Sequence, residues 1–576
     1  MANLILSEAE KLFQIDKFTG IDRRASDGAR ACRNFRVLPD GSLEKREGYY
    51  PIMRLPGVPR AVWCGNVFGT EKIFCLIDNV VYEVDPEDNG GIVLGSVSGV
   101  DGKADFFYCR GGLYLVDGED LYSVSHEGVV KDSGYVPIYG RDWPGSTLGK
   151  INEPINFLSD KIIVHFKLMD TYFYYLELGI KCSEILSCTL NGVPLEGQTE
   201  LVDEGRRIKI TGVVPSECEM CFLLRLDESM YRRNELMGVT RAAQGGGDSD
   251  SGVILFGGNN PSRVFARRDV DESSYLMSSS IVPESTEMYF PVSDALLLGD
   301  GREGVTAITP YGDKMLIFTE TGAWQGDFSG KKVPKITRVS DGVGCSAPLG
   351  AIAGKYAYSV TPNGVFRWTS VGSGGCKVEC ISAPISELFS PGFHRSAVSC
   401  YSPLHGEVWF ADSDSDDHTV FVYREDSGNW YTFDPIYTDR FFTLQGRTAM
   451  LYEKYLLGFL DRYREDVVFG GMGFSGPIKA EYVSGDFDFS MPGRKKKIRW
   501  VMSQSYLDGE GIGIAVCTDR IKKPSLVSVK RKESGKGITY SDSRINTGRF
   551  ERMNFSITAS ERGKVRVDKL FFSVFK

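Results

Sequence analysis

The side chains able to carry chemistry are few and scattered. Five histidines occur, His126, His165, His394, His405 and His418. None stands in a zinc-protease spacing or beside a nucleophile motif. His165 lies in the apolar strand pattern Lys161-Ile-Ile-Val-His-Phe166, and is expected to be a satisfied core residue, not a general base. Cys218-Glu-Met-Cys221 has two-residue spacing, with Cys182 and Cys188 upstream. Four thiolates hold zinc only if both pairs converge tetrahedrally. These pairs are unequally spaced, so core packing is the preferred reading, as it is for Cys376 and Cys380. Asp412-Ser-Asp-Ser-Asp-Asp417 resembles half a calcium loop, but Asp417 and Tyr423 stand where Gly and Glu are required. A solvated hairpin tip is expected there. Asp426-Ser-Gly-Asn-Trp430 resembles the Asp-box turn of sialidase propellers, one residue short and present once. Gly245 to Gly252 contains no Lys, so it is no phosphate loop but a flexible polar one. The expectation is therefore no catalytic residue, no metal, no cofactor, and a chain that is not an enzyme.

Binding is better represented than catalysis. Arg494-Lys495-Lys496-Lys497 and Lys530-Arg531-Lys532 are two basic clusters and the candidate partner-docking residues. Nucleic acid is one reading, because phosphate contacts dominate such binding. Along the chain, however, neither cluster is interleaved with the stacking aromatics that a single-strand binder uses. The charge distribution favours a docking face. The chain carries a net −9, yet residues 477–576 hold 21 Lys and Arg against 11 Asp and Glu, a net +10. The preceding 476 residues hold 46 basic and 65 acidic residues, a net −19. An acidic body with a basic C-terminal region suggests complementary faces in an assembly.

The elements that must position these residues are strands. At 576 residues the chain exceeds one hydrophobic core, and its 65 Gly, 24 Pro and 12% aromatic content favour turns and strands. The start, MANLILSEAEKLFQ, reads as no targeting signal, and no run of 18 apolar residues suggests a membrane span, so synthesis in a cytosol is expected. The 13 Cys read as reduced core filler. Helical periodicity is confined to Ser7–Phe13 and a turn at Ala383–Phe389. Elsewhere an apolar-alternating strand, a polar turn with Gly and an aromatic strand recur. The turn glycines Gly322 and Gly364 lie 42 residues apart, and hairpins begin at Ile73 and Leu113, 40 residues apart. Such spacing predicts an all-β protein with a β-propeller of six or seven blades. Five or more strands crowd between Lys150 and Ser229, predicting an inserted small β-sandwich. After Pro477 the strands lengthen, predicting a C-terminal jelly-roll-like β-sandwich. The expected divisions are an extended N-terminal segment (1–58), first blades (59–149), insert (150–229), remaining blades (230–476) and C-terminal sandwich (477–576).

Two stretches carry a family resemblance. Phe18-Thr-Gly-Ile-Asp22, then Ala29-Arg-Ala-Cys-Arg-Asn-Phe-Arg-Val-Leu-Pro-Asp-Gly-Ser-Leu-Glu-Lys-Arg-Glu-Gly48, resembles the opening of bacteriophage tail nozzle and tail-hub (tail tubular) virion proteins. Leu255-Phe-Gly-Gly-Asn-Asn-Pro-Ser-Arg-Val264 and Leu316-Ile-Phe-Thr-Glu-Thr-Gly-Ala-Trp324 are similar to the family's central blades, and Asp486 to Lys497 to the start of its terminal sandwich. The resemblance covers about two thirds of the chain and leaves the 150–229 insert unmatched. It implies a structural ring, a hexamer, below the portal and adaptor of a phage tail, assembled in the host cytoplasm and residing in the virion. The ring would continue the DNA-ejection channel, pass DNA without binding it specifically, and dock fibre or plug proteins, with no membrane insertion. The alternative is a receptor- or glycan-binding propeller at a tail tip or baseplate, using exposed aromatics such as Trp143 or Trp430.

Overall fold

The computed structural model describes residues 10–575 apart from 68–69, 86–89, 100–103, 110–111, 118–119, 143–154, 157, 169–174, 216, 231–253, 257–262, 268–274, 279–287, 292–295, 312–313, 328–334, 372–374, 445, 461–464, 468–475, 509–510, 521–523, 531–537 and 561. Trp143 and the Gly245–Gly252 loop lie outside the described residues. The fold is all-β. Among the described residues the helical ones are confined to a 3-10 turn at Ala383–Leu388 and one turn at Phe393–Ser396. No helix among them is long and apolar enough to cross a membrane. Ser7–Phe13, where a helical turn was expected, instead lies partly in the strand Glu10–Ile15. That strand pairs residue for residue with Leu570–Phe575, and a single helical turn, with its costly nucleus, has no comparable compensation.

The chain divides into two compact units, Met1–Pro56 with Leu349–Lys576, and Gly57–Pro348. The second unit contains four antiparallel four-stranded sheets in chain order, spanning 59–96, 105–131, 254–297 and 307–341. Ile73-Phe-Cys-Leu-Ile77 is buried throughout, whereas the outer strand Gly128–Lys131 is half to fully exposed. A continuous apolar run marks a strand covered on both faces. The first two sheets share one core containing Trp63, Phe74, Leu76, Phe106 and Leu115, with Trp63 stacked 6.0 Å from Tyr108.

Between the second and third of these sheets lie two others. Lys161–Leu168, Cys218–Leu226 and Cys182–Leu190 are central to a five-stranded sheet, and Tyr175–Glu177, Arg207–Ile210 and Thr199–Val202 form a three-stranded one. Strict alternation turns Ile162, Val164, Phe166, Met220, Phe222 and Leu224 into a common core with Leu176 and Ile208. The larger sheet begins before residue 150, because Ile138–Asp142 adds a parallel strand to Lys161–Leu168.

The first unit holds three more four-stranded sets, spanning 352–380, 397–433, and 440–460 completed by Gly48–Arg54. Its C-terminal strands form two layers. Lys497–Leu507 pairs with Val565–Phe575 in one, and Gly511–Thr518 with Met553–Ala559 in the other. Ser525–Lys530 and Ile538–Arg544 extend the layers. The segment 1–58, read from sequence as a lead-in to the blades, supplies strands to both layers as well. Glu10–Ile15 and Leu43–Lys45 pair with Val565–Phe575. Ala31–Arg33 lies between Trp430–Phe433 and Ala480–Val483, merging the 397–433 set and the C-terminal layer into one nine-stranded sheet.

Buried charge fixes this segment in place. Arg46, fully buried, donates to both Asp466 oxygens at 2.7 and 2.6 Å, to Asn34 Oδ1 at 2.7 Å and to Glu47 O at 2.9 Å. Asn34, at φ 56°, donates to Asp434 O and Lys479 O and accepts from Asp434 N. Arg36 pairs with Glu47 and donates to Glu407 at 2.8 Å. Glu407 also accepts from Trp409 Nε1 and the Tyr431 hydroxyl. Burial alone would raise Glu47, but Arg36 and His405, the latter 3.1 Å away, hold its carboxyl well below the usual carboxylate range. Close approach matters too: a Cβ on Gly48 would lie 2.0 Å from Glu465 O, and one on Gly20 2.6 Å from Trp430 N.

Arg46→Ala leaves Asp466 buried without its partner, so unfolding of this unit in denaturant should lose about 3–5 kcal/mol. Loss of under about 1 kcal/mol would mean the pair is dispensable. Glu47 gives a pH signature. Its folded pKa is depressed, so its stabilisation is complete above its unfolded pKa of about 4.3 and is lost as pH falls below that value. Glu47→Gln should therefore be less stable than the parent at pH 7, with a gap that narrows as pH falls from 5 towards 2 in pH-dependent denaturation. A gap constant with pH would show that Glu47 is not charged in the folded chain.

Candidate interaction surface

The two basic clusters belong to different sheets. Arg494 to Lys497 leads into the strand Lys497–Leu507, whereas Lys530 closes the edge strand Ser525–Lys530 of the other layer. Arg531 and Lys532 lie outside the described residues. Within the first cluster Arg494, Lys495 and Lys497 are exposed, but Lys496 is fully buried and corrects the sequence expectation. Its amide and carbonyl bridge to Phe550, and its Nζ donates to Met491 O at 2.6 Å. Burial pulls the Lys496 pKa below its ordinary value. Strand alternation sets its direction: Lys496 and Ile498 face the core, and Lys497 and Arg499 face out.

Pairing register then gathers what the sequence keeps apart. A register irregularity between Ile498 and Trp500 resets the alternation of the Lys497–Leu507 strand, so that Val501 and Ser503 are buried while Trp500 and Met502 face outward and are partly exposed. Trp500, Met502 and Gln504 stand opposite Arg544, Asp542 and Tyr540 on one side. Met502 and Gln504 stand opposite Phe571 and Lys569 on the other side, and Gln14 lies beyond Phe571. Leu12 is 44% exposed and Tyr540 58% exposed on this layer. Arg499 lies with its guanidinium carbon 5.4 Å from the Phe575 ring. The clusters lack aromatics along the chain, but the sheet interleaves them. Six exposed cations, Arg494, Lys495, Lys497, Arg499, Arg544 and Arg549, have no carboxylate partner among the described residues. Their mutual repulsion favours an acidic partner, and Trp, Tyr, Met and Arg are the residues that interfaces enrich.

A second cluster escaped the sequence reading. The turn carrying Asp414, Asp416 and Asp417 brings His418 to 4.2 Å from the Tyr437 ring and 5.7 Å from Tyr452, with the two tyrosines 5.3 Å apart. Asp439, which accepts from the Glu453 amide, adjoins these rings. Burial pushes the Asp439 carboxyl up, reinforced by Glu453 and Asp414, and burial pushes the His418 imidazole down. None of these five carboxylates pairs with Lys or Arg among the described residues. The signal was Asp412–Asp417 itself, read as a solvated tip. Its first member is internally committed, since Asp412 accepts from Ser390, Ser396 and the Asp414 amide.

Cys188 adjoins Cys221 across the pairing, but Cys182 pairs opposite Leu226, at the far end of the strand that Cys218 begins, roughly 27 Å away, so the four thiols do not converge. His165 is satisfied but is not a core residue, correcting the expectation. It faces outward, 2.9 Å from Glu219 Oε1 and 3.6 Å from Cys221 Sγ. Burial pushes the Cys221 thiol up, against an activated nucleophile. Trp430 is buried and donates to Ile381 O, so it offers no ring to a sugar. Its turn serves the N-terminal segment, because Asn429 Oδ1 accepts from Gly20 N and Trp430 O from Ile21 N. A groove of about 250 Å³ lined by Arg23, Arg30 and Arg33 is internally neutralised by Glu387, Asp486 and Asp434.

Acetylation of the native protein with an exposed-amine reagent, followed by peptide mass analysis, should label Lys495 and Lys497 and spare Lys496. Equal labelling of all three would contradict the inward placement of Lys496.

No protein-family model matches the sequence, and no curated protein matches it. Among solved structures the chain is similar to PorZ, a surface component of the type-IX secretion system of Porphyromonas gingivalis. That likeness has 8% identity and a TM-score of 0.31, over 78% of this chain and 44% of PorZ, so the chain spans less than half of that protein. It is also similar to an exo-β-1,3-galactanase from Phanerochaete chrysosporium, at 9% identity and a TM-score of 0.17, over 83% of this chain and 96% of the enzyme. The same galactanase with galactose gives 10% identity and a TM-score of 0.16.

Proposed function

We propose that the chain is a structural subunit of a bacteriophage tail, forming a ring, nozzle or hub that continues the DNA-ejection channel below portal and adaptor. The seven four-stranded sets are read as propeller blades; those of 59–96, 105–131, 307–341 and 352–380 bury their inner strands and expose their last one, whereas Trp430–Phe433, the last strand of the 397–433 set, is covered by Ala31–Arg33. Gly48–Arg54 completes the 440–460 set as its fourth strand. The nested pairing of 497–507 with 565–575 and of 511–518 with 553–559 suits the jelly-roll-like reading of the C-terminal sandwich.

The observation that carries the proposal is the placement of the residues on which the tail-protein resemblance rests. Phe18 packs 5.4 Å from Tyr482, Gly20 lies against Trp430, and Asn34, Arg36, Arg46 and Gly48 make the buried contacts of the first unit. A motif so fully used by the architecture supports a shared architecture. The role is passive: a rigid body, a sixfold ring, an acidic surface that repels DNA phosphates in a lumen, and docking faces for adaptor and for fibre or plug proteins. It requires no catalysis, no cofactor and no membrane insertion. The residence is the virion, after assembly in the host cytoplasm.

Mass photometry and electron microscopy of the purified chain, alone and with the portal and adaptor proteins of its virion, test this reading. Closed rings, formed alone or on the adaptor, are the expected result. A monomer that ignores the adaptor and binds glycans would replace it with a receptor-binding role.

A further inference from the structure

The ring reading leaves open how one copy meets the next, and the outer sheet face of the C-terminal sandwich bears on that question. It presents Trp500, Met502 and Phe571 partly exposed and Tyr540 exposed, with Arg499 and Arg544 beside them. Half-exposed large apolar side chains on a sheet are an unfinished burial, and uncompensated arginines among them are an unfinished ion pairing. One occupant must supply both apolar surface and negative charge.

The chain itself carries such a surface. Residues 1–476 hold a net −19 against the +10 of residues 477–576. Within the acidic part, His418 and Tyr452 are partly exposed over the buried Tyr437 ring, with Asp414, Asp416, Asp417, Asp439 and Glu453 close by. Aromatic faces and carboxylates together are what a guanidinium binds, by cation–π attraction and charge-assisted hydrogen bonds. The two surfaces thus lack opposite things.

We propose that the sheet face of one copy seats the acidic, aromatic-bearing tip of a second copy, with Arg494, Arg499 and Arg544 reaching its carboxylates. This rests on the ring reading and deepens it. The contact joins two different surfaces, so it is heterologous and propagates head to tail until rotation closes it into a ring. A face-to-face dimer would instead juxtapose like charges, which is repulsive.

The test uses the full chain, with circular dichroism confirming that each variant is folded. In mass photometry across a concentration series, the triple variant Arg494→Glu, Arg499→Glu, Arg544→Glu should lose about tenfold or more in association constant. The variant Asp416→Lys, Asp417→Lys, Glu453→Lys should lose as much. A chain combining all six changes should regain assembly, because both charges are reversed together. Wild-type-like assembly by the face triple, or no recovery in the combined chain, overturns the proposal while leaving the ring reading intact. A wild-type chain that never associates, alone or on the adaptor, overturns both. Fluorescence anisotropy with a labelled oligothymidylate covers the remaining occupant. Tight binding lost in the face triple, with assembly unchanged, would assign the face to single-stranded nucleic acid and overturn the proposal.

Discussion

The first unit depends on two arginines buried almost completely away from water. Arg36 and Arg46 sit 10 residues apart in the sequence, and each reaches a carboxylate about 400 residues away, Glu407 and Asp466 respectively. Removing such charges from water costs several kcal/mol per ion, so they persist only where every donor finds an acceptor. Here the acceptors are Asn34, Glu47, Asp466 and Asp434 around Arg46, and Glu47 with Glu407 around Arg36. Such a network adds little net energy over an apolar core, but it is exacting about register. A strand slipped by one residue would bury the charges without partners. That demand pins the N-terminal strands to their places between Trp430–Phe433, Ala480–Val483 and Val565–Phe575.

The consequence reaches the folding order. The sheets of 59–96 and 105–131 are made of neighbours in sequence, so they close short loops. The N-terminal strands, by contrast, cannot be satisfied until residues beyond 560 exist. Long-range pairing of this kind is slow to form and, once formed, ties the two chain ends into one cooperative body.

This division also explains what the sequence made legible. Hairpins such as Lys314–Phe318 with Gly322–Asp327 are local, and their alternation and turn glycines announce them. The alternation of Lys161–Leu168 and Cys218–Leu226 likewise announces the insert's core. Lys496 could not be read, because a basic run hides which member alternation points inward. Nor could the sheet face be read: Trp500, Arg544 and Phe571 are 27 to 71 residues apart, and only the register puts them together. The His418, Tyr437 and Tyr452 site failed for the same reason, being assembled from two hairpins. The long polar pairs of Arg36 and Arg46 were not legible, since no local pattern in Asn34-Phe-Arg36 or Lys45-Arg-Glu-Gly48 points to carboxylates about 400 residues away.

The sheet face proposed for docking takes one of its strands from the N-terminal segment, so the proposed assembly would depend on complete folding. Leu12 and Gln14 lie on Glu10–Ile15, opposite Ser573 and Phe571 of the last strand of the chain, so the face is completed by both chain ends. Until Val565–Phe575 has paired with Lys497–Leu507 on one edge and Glu10–Ile15 on the other, Trp500 and Phe571 have no common plane. A chain still being synthesised therefore presents no such surface. An exposed aromatic sheet is an aggregation hazard in a partly folded protein, and six cations without a carboxylate partner among the described residues add repulsion between incomplete copies. Delaying the apolar part of the face until the last strand arrives would confine the proposed association to finished subunits, which is what a ring of identical copies requires.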